Sequence, residues 1–172
     1  VKRELGIPLM FHVHSTEVGR SVGRGSHNIK EIEFEGGQIA DCVITVSNAM
    51  KDELEKFGFP PYKIKVCWNG VDPNKYDPKK VTKEEILQLR RGYGINDDEN
   101  MLFFIGRLVT VKGVDNLIRA IPMVLKDFPK TKLVIVGIGD MEWGLKSLAE
   151  KIGIKNNVIF RTEFINENER IK

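Results

Sequence analysis

Six short apolar runs punctuate this 172-residue chain: residues 8–14, 42–46, 65–68, 101–105, 132–136 and 158–160. Most are continuous rather than alternating, the pattern of strands buried on both faces. Helical patterns fill the intervals. Ser47 is placed to cap a helix with Met50, Leu54 and Phe57 on one face, and Gly58 ends it. Thr82-Lys83-Glu84-Glu85 reads as a capping box ahead of Ile86 and Leu89. After Gly113, residues Val114, Leu117, Ile118, Ile121, Val124 and Leu125 form an apolar stripe, with Pro122 expected to bend or shorten the helix. Leu145, Leu148, Ala149 and Ile152 mark another helix, closed by Gly153. Strands alternating with helices imply an α/β fold with parallel sheets and right-handed crossovers.

Between Asn69 and Asn100 the periodicity breaks around Asp72, Pro73, Asp77 and Pro78, as expected of a linker or inter-domain helix. The net charge is +3 and the basic residues are interleaved with Asp and Glu, which argues against a nucleic-acid-binding stripe. No apolar run approaches the roughly 20 residues of a membrane span. Cys42 and Cys67 lie in apolar runs and read as buried free thiols of a reducing, cytoplasmic compartment. The chain begins at Val1 and ends at Lys172 without a stop signal, so it reads as a fragment.

The chemistry concentrates where apolar runs end. Phe103-Phe104-Ile105 runs into Gly106, followed by Arg107, Lys112 and Gly113. Open α/β sheets bind ligands outside the carboxyl ends of their strands, so these cations either neutralise a diphosphate or are two solvated surface charges. Arg offers a planar fork, Lys a compact charge, and a helix starting near Lys112 adds its N-terminal amides. Gly137-Ile138-Gly139-Asp140 follows one strand and precedes a helix. Its glycines either allow close backbone approach or make a tight turn. His12 and His14 share a face of the first strand; either they are exposed strand-end histidines, or His14 touches a sugar hydroxyl or the reacting centre. The polar loop His14-Ser15-Thr16-Glu17-Val18-Gly19-Arg20 either reaches substrate or is a solvent loop, and Asn69-Gly70 is a turn signal. No His, Cys or acidic cluster has metal-ligand spacing, and no Asp-x-Asp element is present, so no metal and no cofactor is expected.

Taken together, His14 to Arg20, Ala40 to Ser47, Asn69-Gly70-Val71-Asp72, Gly106-Arg107-Leu108 with Lys112-Gly113, and Val136 to Gly139 resemble the retaining glycosyltransferases with two Rossmann-like domains (GT-B), near glycogen synthase. The resemblance implies two parallel-sheet domains: residues 1–68 closing an acceptor-side domain, 69–98 connecting, and 99–172 opening the donor-binding domain. It implies transfer of glucose from ADP- or UDP-glucose to an α-glucan with retention. Arg107 and Lys112 would hold the donor diphosphate beside Gly106, and His14 would lie near the transferred sugar. Gly137 and Gly139 would lie by base and ribose, and Asn69 and Asp72 near the crossover between domains. The family's glycine-rich loop would precede Val1, and its Glu-x7-Glu element would follow Lys172. The fragment alone is therefore expected to be inactive. Rival readings on the same scaffold are a transferase of another sugar such as mannose, a sugar-nucleotide epimerase, and a non-catalytic nucleotide-binding module.

Overall fold

The computed structural model describes residues 2–21 and 25–163. It divides into two compact units, Val1–Val71 and Asp72–Lys172. Each carries a three-stranded parallel sheet with its strands in chain order.

In the first unit α1 (Lys2–Leu5) is followed by β1 (Met10–Val13), α2 (Glu17–Arg20), α3 (His27–Ile39), β2 (Cys42–Thr45), α4 (Asn48–Lys56) and β3 (Ile64–Val66). Phe11 pairs with Val43 and Val43 with Ile64, which places these residues on one face together with Val13. That face is the core, completed by Ala40, Leu54 and Phe59. The Ser47 hydroxyl caps α4 by accepting the Met50 N–H at 3.1 Å. Met50 and Phe57 pack at the edge of the same core. Helix α3 has no counterpart in the sequence reading. Gly36-Gly37 lowers its helix propensity, yet these glycines bring it onto Phe11 and Phe59.

The second unit holds α5 (Lys83–Gly92), β4 (Asn100–Ile105), α6 (Val114–Asp127), β5 (Thr131–Val136), α7 (Glu142–Lys151) and β6 (Val158–Arg161). Thr82 and Glu85 form the expected reciprocal capping box of α5. Residues Tyr93 and Ile95 then pack on Val134 and Val136. The stretch read as linker or inter-domain helix thus contributes to this unit's core. The opposite face of β5 carries Leu133 and Ile135, packed with Val114, Ile118 and Ile121 of α6 and Leu145 and Ala149 of α7. Helix α6 runs through Pro122 to Asp127 instead of stopping. An internal proline costs about 3 kcal/mol, and burying Val114, Ile118 and Ile121 at roughly 2 kcal/mol each exceeds that.

Burial on both faces holds for β5 and not for the other strands. In β1 and β2 exposure alternates, and Leu102, Phe103 and Ile105 of β4 are exposed. The reason is cover: β5 is central and carries a core cluster on each face, β2 is central but carries its core on one face, and β4 is an outer strand. The thiols also differ from expectation, since Cys42 is only partly buried and Cys67, just past β3, is exposed.

Candidate functional site

The carboxyl ends of β4 and β5 do not separate where the strands stop. Gly106 donates its N–H to Val136 O at 3.0 Å, and Leu108 donates to Ile138 O at 2.9 Å. Met141 then donates to Leu108 O at 3.1 Å. The loop 106–108 is therefore laced to the loop 136–141 by main-chain bonds. Leu108 is fully buried in the core with Val114 and Leu145. Side chains alternate along an extended segment, so anchoring Leu108 inward leaves Arg107 facing outward, exposed.

The glycines of the second loop are demanded by this lacing. A side-chain carbon at Gly137 would lie 1.9 Å from Gly106 O, and one at Gly139 would lie 2.2 Å from Leu108 O. Both neighbours are main chain and cannot rotate away. The glycines make room for the main chain of Gly106 and Leu108, a neighbour that neither reading of the sequence named.

Beyond Leu108, Thr110–Lys112 forms a single 3-10 turn and Gly113 takes the left-handed conformation at φ 62°. Helix α6 starts at the next residue, without a side-chain cap on its first N–H groups. Uncapped amides at a helix start carry partial positive charge. Lys112 is exposed immediately before them. Among the described residues neither the Arg107 guanidinium nor the Lys112 ammonium has a hydrogen-bond or ion-pair partner. Two free cations, uncapped helix amides and a tight two-loop platform make a surface suited to an anion with several oxygens.

In the first unit, the exposed rings of His12 and His14 lie 4.4 Å apart, centre to centre, at the end of β1. They border a cavity of about 450 Å³, also lined by Phe11, Ser15, Arg20 and Glu33. The polar loop after His14 is built and held by neighbours. Thr16 caps α2, its hydroxyl accepting the Gly19 N–H at 3.1 Å and donating to Glu53. The Glu33 carboxylate accepts the Glu17 N–H through both oxygens, at 3.0 and 2.9 Å, and pairs with Arg20 at 3.0 Å. Thr16, Glu17 and Arg20 are thus engaged in folding the loop, while His14 stays exposed and Ser15 half-buried at the cavity. Nothing in the sequence pointed to Glu33 or Glu53, which reach the loop from α3 and α4.

Asn69 is exposed at the end of the first unit. Asp72 opens the second, its carboxylate accepting the Asn74 N–H at 2.9 Å in a local turn. The structure therefore brings together Gly106, Arg107, Gly137 and Gly139, with Lys112 five residues on from Arg107, and places His14 and Asn69 in the other unit. The resolved pKa shifts lie in three surface side chains: Asp97 raises Arg91, and Asp98 and Lys130 mutually hold each other in their charged forms. Among the described residues no cluster of three or more His, Cys, Asp or Glu could hold a metal ion, and no helix is long and apolar enough to cross a membrane.

The family model of the glycosyl transferases group 1 matches residues 85–171, half of the chain, across the laced loops and both cations. This chain belongs to the glycosyl transferases group 1 family. The glycosyltransferase family 4 model matches residues 1–75. An uncharacterised glycosyltransferase of Methanocaldococcus jannaschii is 39% identical over 158 residues, covering 90% of this chain and 40% of the relative. A glycogen synthase of Mycobacterium tuberculosis is 29% identical over 164 residues, covering 92% of this chain and 36% of that enzyme. The structure of Anabaena HepE in complex with UDP-glucose matches with a TM-score of 0.80 at 23% identity, over 95% of this chain and 44% of that one. That likeness shows the fold. The group 1 chain spans about two fifths of the length of the curated relatives it matches.

Proposed function

We propose that the second unit is the donor-binding part of a retaining hexosyltransferase, and that the whole protein moves glucose from ADP- or UDP-glucose to an α-glucan in the cytoplasm. The observation that carries the reading is the pair of unpartnered cations, Arg107 and Lys112, flanking the laced loops before α6. A nucleoside diphosphate gains negative charge as it leaves the sugar, and preorganised cations and helix amides lower that barrier without reorganising. Arg107 takes a pair of phosphate oxygens and Lys112 a single one. Gly137 and Gly139 let the two loops close on the main chain of Gly106 and Leu108, and base and ribose lie against the platform so formed. His14 offers its imidazole to a hydroxyl of the transferred sugar, and the first unit takes the acceptor. Asn69 and Asp72 stand where one unit gives way to the next, with 1–68 on the acceptor side and 99–172 on the donor side; of the intervening residues 69–98, the later part packs on the donor side.

The glucose and α-glucan specificity is supported by the His14 to Arg20 element and by the glycogen synthase relative. The test is a transfer assay of the complete gene product with ADP-, UDP- and GDP-linked glucose and mannose and with glycogen as acceptor. Product stereochemistry is read by proton NMR. The expected result is α-linked glucose from ADP- or UDP-glucose. Transfer of mannose alone would reassign the donor, epimerised nucleotide sugar would make the protein an epimerase, and binding without turnover would make it a nucleotide-binding module.

A further inference from the structure

Strand β6 ends in a cation whose main chain touches the laced loops. Arg161 pairs in register with Val136, and its carbonyl oxygen accepts the Gly137 N–H at 3.0 Å. Its side chain turns toward the end of α5. The guanidinium carbon sits 5.5 Å from the centre of the Tyr93 ring, and Nη1 donates to Gly92 O at 3.4 Å. Nη2 lies 2.6 Å from a Glu163 carboxylate oxygen. Tyr93 is only 4% exposed and belongs to the cluster with Ile95, Val134 and Val136.

This arrangement is locally costly. The Arg161 Nε is buried without a partner, and an unpaired buried donor costs free energy that an apolar side chain would avoid. The guanidinium on its aromatic support recovers part of this through cation–π attraction. On its other side Gly137 faces Gly106 O, which leaves no room even for a side-chain carbon. A shift of the Arg161 carbonyl is therefore passed to Gly137, and from there to the segment that carries Arg107.

We propose that Arg161 is a positioning residue for the donor site: held by Tyr93 and the Gly92 carbonyl, it fixes the oxygen that holds Gly137, and so sets the affinity for a nucleoside diphosphate. The inference rests on the donor-site reading above.

Calorimetric titration of the full chain with UDP, ADP and GDP, below each variant's melting temperature, tests both. The variants are Arg161→Met, Arg161→Lys and Lys112→Ala. The expected result is a Kd raised about tenfold by Arg161→Met, within the range by which residues that touch no ligand modulate binding. Faster amide exchange at Gly137 accompanies it, and Arg161→Lys, which keeps a cation over Tyr93, recovers most of the affinity. Arg161→Gln replaces the Met variant if that one fails to fold. A Met or Gln variant that melts lower but binds as wild type, with unchanged exchange at Gly137, overturns the positioning role while weakened binding by Lys112→Ala leaves the donor site standing. Unchanged binding in Lys112→Ala, or no nucleotide binding by wild type, overturns both.

Discussion

The carbonyl oxygen of Gly106 lies 1.9 Å from where any side chain at position 137 would begin. A methyl group there cannot be accommodated by a rotamer change, because both neighbours are main chain. Gly137→Ala is expected to destabilise the second unit by about 3–5 kcal/mol, at the high end for single substitutions. Gly139→Ala, facing Leu108 O at 2.2 Å, is expected to behave similarly. Urea unfolding followed by circular dichroism measures both, and wild-type stability in either would contradict the laced-loop geometry.

Arg107 and Lys112 should show the opposite profile. Both are exposed and unpartnered among the described residues, so alanine at either position is expected to change stability by less than about 0.5 kcal/mol. Turnover of the full-length protein with the nucleotide sugar is expected to fall on the order of 10²-fold or more, as when other preorganised charge stabilisers are removed. Near-normal turnover in Lys112→Ala would dissociate this cation from the leaving group.

Leu108 anchors the segment that presents Arg107, and it is wholly buried among Val114 and Leu145. Leu108→Ala is expected to cost about 2–5 kcal/mol through the cavity it leaves. Nucleotide affinity should drop with it even where the unit remains folded, a combination read by thermal melting alongside calorimetry.

In the first unit, Thr16→Ala removes the cap of α2 and leaves the Glu53 carboxylate without its donor. The expected loss is about 1–2 kcal/mol. Ser15→Ala, at a neighbouring position outside the cap, is expected to be nearly neutral by the same unfolding measurement.

The Asp98–Lys130 pair gives a sign for pH dependence. Lys130 holds the Asp98 carboxyl below its ordinary range. A carboxylate with a depressed folded-state pKa contributes stability that is present above its unfolded value near 4 and is lost as pH falls through the folded value. Lys130 is shifted upward by the same partner, so its share is present below about pH 10 and is lost as pH rises through its folded value. The pair is fully exposed, and solvent screening keeps the effect small. Asp98→Asn should therefore flatten the acid limb of the stability profile slightly and leave the laced loops unchanged. An acid limb identical to wild type would show that the pair contributes nothing.

The strands were legible because each is a short, largely apolar run, and all six are found within a residue or two of where the sequence put them. The caps at Ser47 and Thr82 were legible for a local reason: donor and acceptor lie three residues apart. Helix α3 was not, since Gly36-Gly37 weakens its pattern and its contacts with Phe11 and Phe59 are long-range. The loop from His14 to Arg20 looked like one functional string. Its partners Glu33 and Glu53 lie far along the chain, and only folding separates the residues that hold the loop from those left at the cavity. Gly137 and Gly139 were visible as glycines, but the object they make room for belongs to another strand.

The lacing of the two loops is made by amides and carbonyls alone, so it is indifferent to what projects between the two required glycines. Ile138 projects there, 63% exposed. The same frame could display a ring, an amide or a charge at that spot without being rebuilt, which makes position 138 a natural place to retune donor preference by directed evolution while the fold stays untouched.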